Sequence, residues 1–366
     1  MKSITVTTLR SINFGAVLQS YALHVAQKKL GVDNRVLDKE PLKNMYERIS
    51  LKFNKRMMIS LISNIFYFFH HCRTKRCLKK FDQFVKDNIK TTRKYNGINE
   101  LRHNPPKADF FINGSDQVFG LRGQFDQERM IQFGAESIKR YSYAASLGEY
   151  DWNDDEKKRF SKLLHGFNKI SVREKYAKEY IESFCDIKCE TNIDPVFLLD
   201  REEWDNLAAE RLVKEDYILC YPLLGNSNLQ VVLDELKKKT GLKIVSVQVL
   251  PLKRVKADVY FFDAGPKEFL SLIKYSTMVV TTSFHGTAFS LIYEKPFVTL
   301  TKEYKSQRMT DLLGATGLSH RIYKKGMTLD TSELDFSICR KYISGEKERG
   351  FNYLKNIVKD VCSNIG

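Results

Sequence analysis

Short apolar runs rich in β-branched residues alternate with helical stretches along most of this chain, and that alternation narrows the fold more than any single motif. Ile4–Thr8 reads as a strand, followed by a helix from Ala16 to Leu30 that Gly31 closes, and then by strand Val32–Leu37. Asp109–Asn113, Arg140–Ala145 and Lys169–Val172 continue the strands, with helix Asp154–His165 between the last two. A second run opens with YILCY at Tyr217. Helix Leu229–Thr240 (closed by Gly241), strand Lys243–Val249, helix Pro266–Tyr275, strand Met278–Thr282, helix Thr287–Glu294 and strand Phe297–Leu300 follow. Such alternation implies parallel sheets covered on both faces. The expected fold class is α/β, with two Rossmann-like doubly wound domains facing a cleft. The first should cover 1–205 and carry a basic helical insertion at about 42–94; the second should cover 206–345, with the boundary in the charged stretch Asp200–Asp216. A last helix, Glu346–Cys362 within 346–366, is expected to cross back to the first domain.

The 366 residues leave room for two domains of ordinary size. MKSITVTTLRS has no apolar signal-peptide core, and the seven cysteines are scattered and odd in number. The reducing cytoplasm is therefore the expected compartment. Cys185 and Cys189, in CDIKC, lack a second ligand pair, so zinc is not expected there. The net charge of +16 is uneven: residues 42–94 hold fourteen Lys/Arg against three Asp/Glu and so carry +11 of it. Within them, Met57–Phe69 is an apolar run too short to cross a bilayer core, which needs ~20 helical residues. Two readings stand. The segment lies on an anionic membrane surface, making the protein peripheral at the inner membrane face, or it is a core helix with solvated basic flanks. No nucleic-acid motif accompanies the charge, so nucleic acid is not an expected partner. The cations around His70, His71, Cys72 and Cys77 oppose a metal there.

Four loops fall at the carboxyl ends of these strands, where open α/β sheets bind ligands: RSINFG (10–15), NGSDQ (113–117), SVRE (171–174) and TTSFHGTA (281–288). Asn13 can cap the helix, and Gly15 lets a ligand approach the backbone. Asp116 is either a proton acceptor or a holder of backbone N–H groups. Arg173 can clamp a carboxylate or phosphate, or pair with Glu174 or another acid. His285, placed between strand and helix, can do acid–base work or simply pack at a domain seam.

NFGAVLQSYAL (13–23), INGSDQVF (112–119), YSYAASLG (141–148), SVRE (171–174), DPVFLL (194–199) and TSFHGTAFSLIYEKPF (282–297) occur in this order. Together they resemble the polysaccharide pyruvyl transferase family, from the first strand to about Leu318. The resemblance implies a GT-B-like enzyme that moves pyruvate from phosphoenolpyruvate onto two hydroxyls of a sugar, forming a cyclic ketal in a capsular or other polysaccharide or its lipid-linked precursor. It assigns His285 and Arg173 to the donor; Asp116 is a candidate base for the acceptor hydroxyl. Ser115, Gln117, Ser283, Phe284, Gly286 and Thr287 in the same loops, with Asn13, Gly15 and Arg308, are the expected substrate contacts. No metal and no cofactor is expected, the donor being a substrate. One alternative is a GT-B glycosyltransferase using a nucleotide sugar, for which Glu294 would have to hold the donor ribose. The other is a non-catalytic protein that binds anionic glycans or membranes.

Overall fold

A computed structural model describes residues 1–39, 73–120, 126–148, 152–223, 225–248, 255–301 and 307–363. The apolar run Met57–Phe69 lies outside the described residues. The first sheet holds β1 (Lys2–Val6), β2 (Asp33–Lys39), β3 (Thr91–Tyr95), β4 (Phe110–Asn113) and β5 (Lys139–Ser142), in the order β3-β2-β1-β4-β5. All pairings are parallel, which explains why β4, FFIN, is buried at every position. A parallel pair, β6 (Ile170–Val172) and β7 (Cys189–Thr191), continues this layer through bridges from Tyr141 to Lys169 and from Ala145 to Val172. The second sheet repeats the order as β10-β9-β8-β11-β12, again fully parallel. Its strands are β8 (Tyr217–Tyr221), β9 (Lys243–Val247), β10 (Val259–Phe261), β11 (Met278–Thr281) and β12 (Phe297–Thr299). In each sheet the order reverses beside the first strand, at β1/β4 and at β8/β11, so ligand crevices are expected outside those carboxyl ends.

The helices are α1 (Phe14–Lys29), α2 (73–88), α3 (Ile98–His103), α4 (Asp154–Leu164), α5 (Lys175–Glu182), α6 (Arg201–Leu207), α7 (Leu229–Thr240), α8 (Pro266–Lys274), α9 (Phe284–Ile292), α10 (Gln307–Ala315) and α11 (Ser337–Cys362). One continuous core joins the two halves. Phe14 of α1 is fully buried and stacks on Phe269 of α8 at 4.5 Å and on Phe81 of α2 at 5.3 Å. Such aromatic pairs add ~0.5–1.5 kcal/mol beyond their area.

The described part of the basic insertion is therefore largely a core helix. Cys77, Phe81, Phe84 and Val85 of α2 form its buried stripe, while Arg76 pairs with Asp263 and Lys80 with Glu268 across the interface. Arg73 lies over the Phe262 ring at 5.7 Å. Lys75, Lys79 and Lys86 remain exposed.

Helix α11 starts nine residues before the expected Glu346, at Ser337. It begins against the second half through Cys339 and ends on the first sheet, where Tyr353, Leu354, Ile357 and Val361 pack with Phe110, Ile112 and Tyr141. Tyr353 donates its hydroxyl to the Ser142 carbonyl at 2.9 Å.

Candidate active site

Each crevice loop is built by local chemistry. Asn13 caps α1 by accepting the Ala16 N–H at 3.3 Å. Thr7, just past β1, donates to the Ser115 carbonyl at 2.9 Å and so ties the first loop to the turn after β4. Asp116 in that turn sits at φ 79°, a left-handed conformation uncommon outside glycine. Its backbone carbonyl accepts the Val118 and Ser146 N–H groups at 2.7 and 3.0 Å. The carboxylate has no hydrogen bond to any described residue, so the backbone-holding alternative for this side chain does not apply.

His285 is not at a corner before a helix, as the sequence suggested, but in the first turn of α9, which starts at Phe284. Ser283 is the N-cap and accepts the Gly286 N–H at 3.4 Å. Gly286 and Thr287 face away from the crevice. A Cβ on Gly286 would fall 2.3 Å from Thr281 Oγ1, and Thr287 Oγ1 is satisfied by the Ser283 carbonyl and Thr299 Oγ1. They are packing residues, since tight helix-on-strand contact leaves them no open side.

At Gly15 the group that approaches the backbone is His285 rather than a ligand. A Cβ on Gly15 would lie 2.1 Å from His285 Nδ1. This contact joins a helix of the first half to a helix of the second. Gly15→Ala is expected to keep the fold, since alanine is favoured over glycine in a helix by ~1 kcal/mol. The added methyl displaces the imidazole, and a misplacement of about 1 Å costs on the order of 10²-fold in rate. Turnover and thermal unfolding measured together check this; an unaltered rate would mean the imidazole position is not critical.

The residue around which the site is organised is Asp194, from the DPVFLL stretch, which sequence reasoning did not single out. Its side chain is fully buried. Oδ2 accepts from Arg173 Nη1 at 2.6 Å and Ser115 Oγ at 3.2 Å, and His285 Nε2 stands 3.5 Å away. Oδ1 accepts the Val196 N–H at 3.1 Å. Burial alone would raise this carboxyl; His285, Arg173 and the Val196 N–H outweigh it and hold it well below the usual carboxylate range. The one signal in the sequence was Asp before Pro, which reads equally well as an ordinary cap of the short turn Pro195–Leu198.

Arg173 leaves β6 and is 4 % exposed at its side chain. Besides Asp194 it donates from Nε to Glu174 at 3.1 Å, so the ion-pair alternative is realised twice over. Burial lowers the guanidinium's proton affinity, but Glu174 and Asp194 more than restore it. Its Nη2 is buried without a partner among the described residues. The Arg173 guanidinium lies 4.5 Å from the Phe284 ring centroid, and Arg308 lies 5.9 Å from the same ring. Arg308 is half-buried with no ion pair to a described residue, and burial followed by the Arg173 charge lowers its proton affinity.

Phe284 therefore stands between two cavities. One, of about 200 Å³, is lined by Asn13, Asp116, Gln117, Ser283, His285 and Arg308. The other, of about 580 Å³, is lined on one side by Arg173, Asp194 and Arg308 and on another by Tyr342, Glu346 and Arg349. Arg173 and His285 thus meet through Asp194 rather than across one open space. Glu294, which a ribose-binding role would need, is at the far end of α9, about 14 Å along the axis, where it pairs with Arg340 at 2.9 Å. Among the described residues no group of three or more His, Cys, Asp or Glu could hold a metal ion, and no helix is long and apolar enough to cross a membrane.

A family model for polysaccharide pyruvyl transferases matches residues 13–303. No curated protein matches the chain. Among solved structures it is similar to the S. aureus MnaA–UDP complex, with 11% identity, 96% of this chain and 90% of that chain covered, and a TM-score of 0.52. A putative UDP-N-acetylglucosamine 2-epimerase from Listeria monocytogenes gives 10%, 97%, 90% and 0.51. The Methanocaldococcus jannaschii UDP-GlcNAc 2-epimerase in complex with UDP-GlcNAc and UDP gives 13%, 98%, 99% and 0.50. At such identities the likeness is one of fold, and the fold is the GT-B type.

Proposed function

The chain belongs to the polysaccharide pyruvyl transferase family, and from that premise we propose that it transfers pyruvate from phosphoenolpyruvate to two hydroxyls of one sugar as a cyclic ketal. The observation that carries this reading is Arg308, a half-buried guanidinium without a described carboxylate partner, opening on the same small polar cavity as His285 and Asp116. A cation held this way favours an anionic ligand, since an unpaired charge is costly away from water. Phosphoenolpyruvate supplies a carboxylate and a phosphate.

In the first step the donor's methylene carbon gains a proton as a sugar hydroxyl attacks the adjacent carbon. His285 gives or relays that proton, or meets the phosphate as it leaves. Asp116, whose carboxylate no described residue occupies, takes the hydroxyl proton. The carbon–oxygen bond to phosphate breaks, the second hydroxyl closes the ring, and its proton leaves with inorganic phosphate. The acceptor class is a glycan under construction, free or lipid-linked.

Phosphate release from phosphoenolpyruvate that depends on an added glycan, with a pyruvate ketal found by mass spectrometry, tests the proposal. Turnover of a nucleotide sugar without phosphoenolpyruvate would overturn it, but the engagement of Glu294 with Arg340 weighs against that chemistry.

Among the described residues of α2, a membrane-surface role for the basic segment would draw on the exposed Lys75, Lys79 and Lys86, because Arg73 and Arg76 are engaged within the protein. Each such lysine contributes ~1 kcal/mol of attraction to an anionic surface at low salt. Replacing the three with glutamine is expected to weaken sedimentation with anionic vesicles at low salt. Absence of sedimentation by the unaltered protein at low salt would exclude the role.

A further inference from the structure

We propose that Asp194 is a positioning residue that decides which nitrogen of His285 does the chemistry; this rests on His285 being the acid–base group of the proposed reaction. The imidazole is nearly buried, and its two nitrogens face different neighbours. Nε2 is inside, 3.5 Å from Asp194 Oδ2, with no hydrogen-bond partner among the described residues. Nδ1 lies against the loop Asn13–Gly15, where the missing Cβ of Gly15 leaves it room. A lone pair on Nε2 would point at a carboxylate oxygen, which is repulsive, whereas an N–H there is attracted. A buried N–H left without an acceptor costs about 1–3 kcal/mol, which draws the proton toward the nearest carboxylate.

Asp194 can serve because its own surroundings keep it anionic and immobile. Arg173 and Ser115 hold Oδ2, the Val196 N–H holds Oδ1, and the other charged groups near the pair are Glu174, Asp116 and Arg308. Neutral His285 is thus an Nε2–H tautomer, and Nδ1, on the Gly15 side of the ring, is the nitrogen that meets donor or acceptor. The same carboxylate that orients the imidazole also holds Nη1 of Arg173. Binding of an anion at Arg173 and proton transfer at His285 Nδ1, which gives a proton only after taking one up, are therefore set by one rigid group.

The test is nitrogen NMR of protein labelled with ¹⁵N-histidine, at a pH where the ring is neutral, with His285→Gln identifying the signals. The unaltered protein is expected to show protonated Nε2 and unprotonated Nδ1. In Asp194→Asn the negative charge that favours Nε2–H is lost, and an amide whose oxygen keeps the Val196 N–H turns its NH₂ toward both His285 and Arg173, so the proton should move to Nδ1 and the Arg173 bond is given up. That variant should also lose about 10²–10⁴-fold in kcat, the range for a misassigned acid–base histidine. Protonated Nδ1 in the unaltered protein, or the same tautomer in both proteins, would overturn the proposal. The spectra need neither turnover nor donor. An Nε2–H spectrum without turnover of phosphoenolpyruvate would leave the positioning role standing and remove the donor assignment, and a reversed spectrum with turnover would do the opposite. If Asp194→Asn does not fold, the spectrum of the unaltered protein still decides.

Discussion

Replacement of His285 by alanine is expected to lower turnover by ~10²–10⁴-fold while the protein stays folded. The rate loss follows from the chemistry: the methylene of the donor has to be protonated at the moment the adjacent carbon is attacked. Among the described residues lining the small cavity, His285 is the one histidine. The fold should tolerate the change because α9 is anchored elsewhere. Phe289 packs edge-on against Trp204 at 5.0 Å, and Ala288 and Leu291 are buried in the shared core. Alanine is also the better helix former, and the imidazole's close contact with Gly15 is relieved rather than broken. Steady-state phosphate release at saturating donor measures the loss, with circular dichroism confirming the fold. Near-normal turnover would make His285 a packing residue at the seam between the halves.

Arg173→Met is expected to destabilise the protein by about 3–5 kcal/mol, the cost of breaking a buried ion pair from one side. The residue is buried between two carboxylates, Glu174 at 3.1 Å and Asp194 at 2.6 Å, which methionine would leave uncompensated. Glu174 is itself held by the Ser146 hydroxyl at 2.5 Å, so it has little freedom to turn toward solvent. Denaturant unfolding followed by fluorescence gives the change directly; a loss under about 1 kcal/mol would show that the carboxylates find other partners. Arg173→Lys separates charge from shape. One ammonium does not span both acids or lie flat on the Phe284 ring, so the Michaelis constant for phosphoenolpyruvate should rise strongly while that for the glycan changes little. A change confined to the acceptor would place Arg173 on the other side of the chemistry.

Both results depend on contacts that become visible in different ways. The strand–helix alternation was legible because parallel strands are buried on both faces and therefore read as apolar runs. β8, YILCY, and β11, MVVT, are buried throughout. Gly31 and Gly241 marked helix ends correctly: both stand at positive φ, 76° and 70°, where other residues pay a steric cost. Helix α11 begins earlier than the sequence suggests, at Ser337. Gly345, just before the expected start, lies inside the helix, where glycine costs ~1 kcal/mol. In the folded chain that cost is outweighed, because α11 spans both halves and Gly350 lets it sit against Tyr143, whose hydroxyl a Cβ would meet at 2.4 Å.

Local pattern by itself determined the long apolar strands and the longer helices, their parallel pairing and which loops lie at the strands' carboxyl ends, because those depend on periodicity and on residues adjacent in the chain; it did not reveal the short strands β3, β7 and β10. It brought Asn13, Asp116, Arg173 and His285 to notice for the same reason. Tertiary structure alone decided that Asp194 lies between Arg173 and His285, that Gly15 makes room for an imidazole 270 residues later in the chain, and that Gly286 and Thr287 turn inward. A carboxylate's partners and a glycine's neighbour are set by the packing of elements distant in sequence. No spacing along the chain encodes a 2.6 Å contact between the end of β6 and the turn that follows β7.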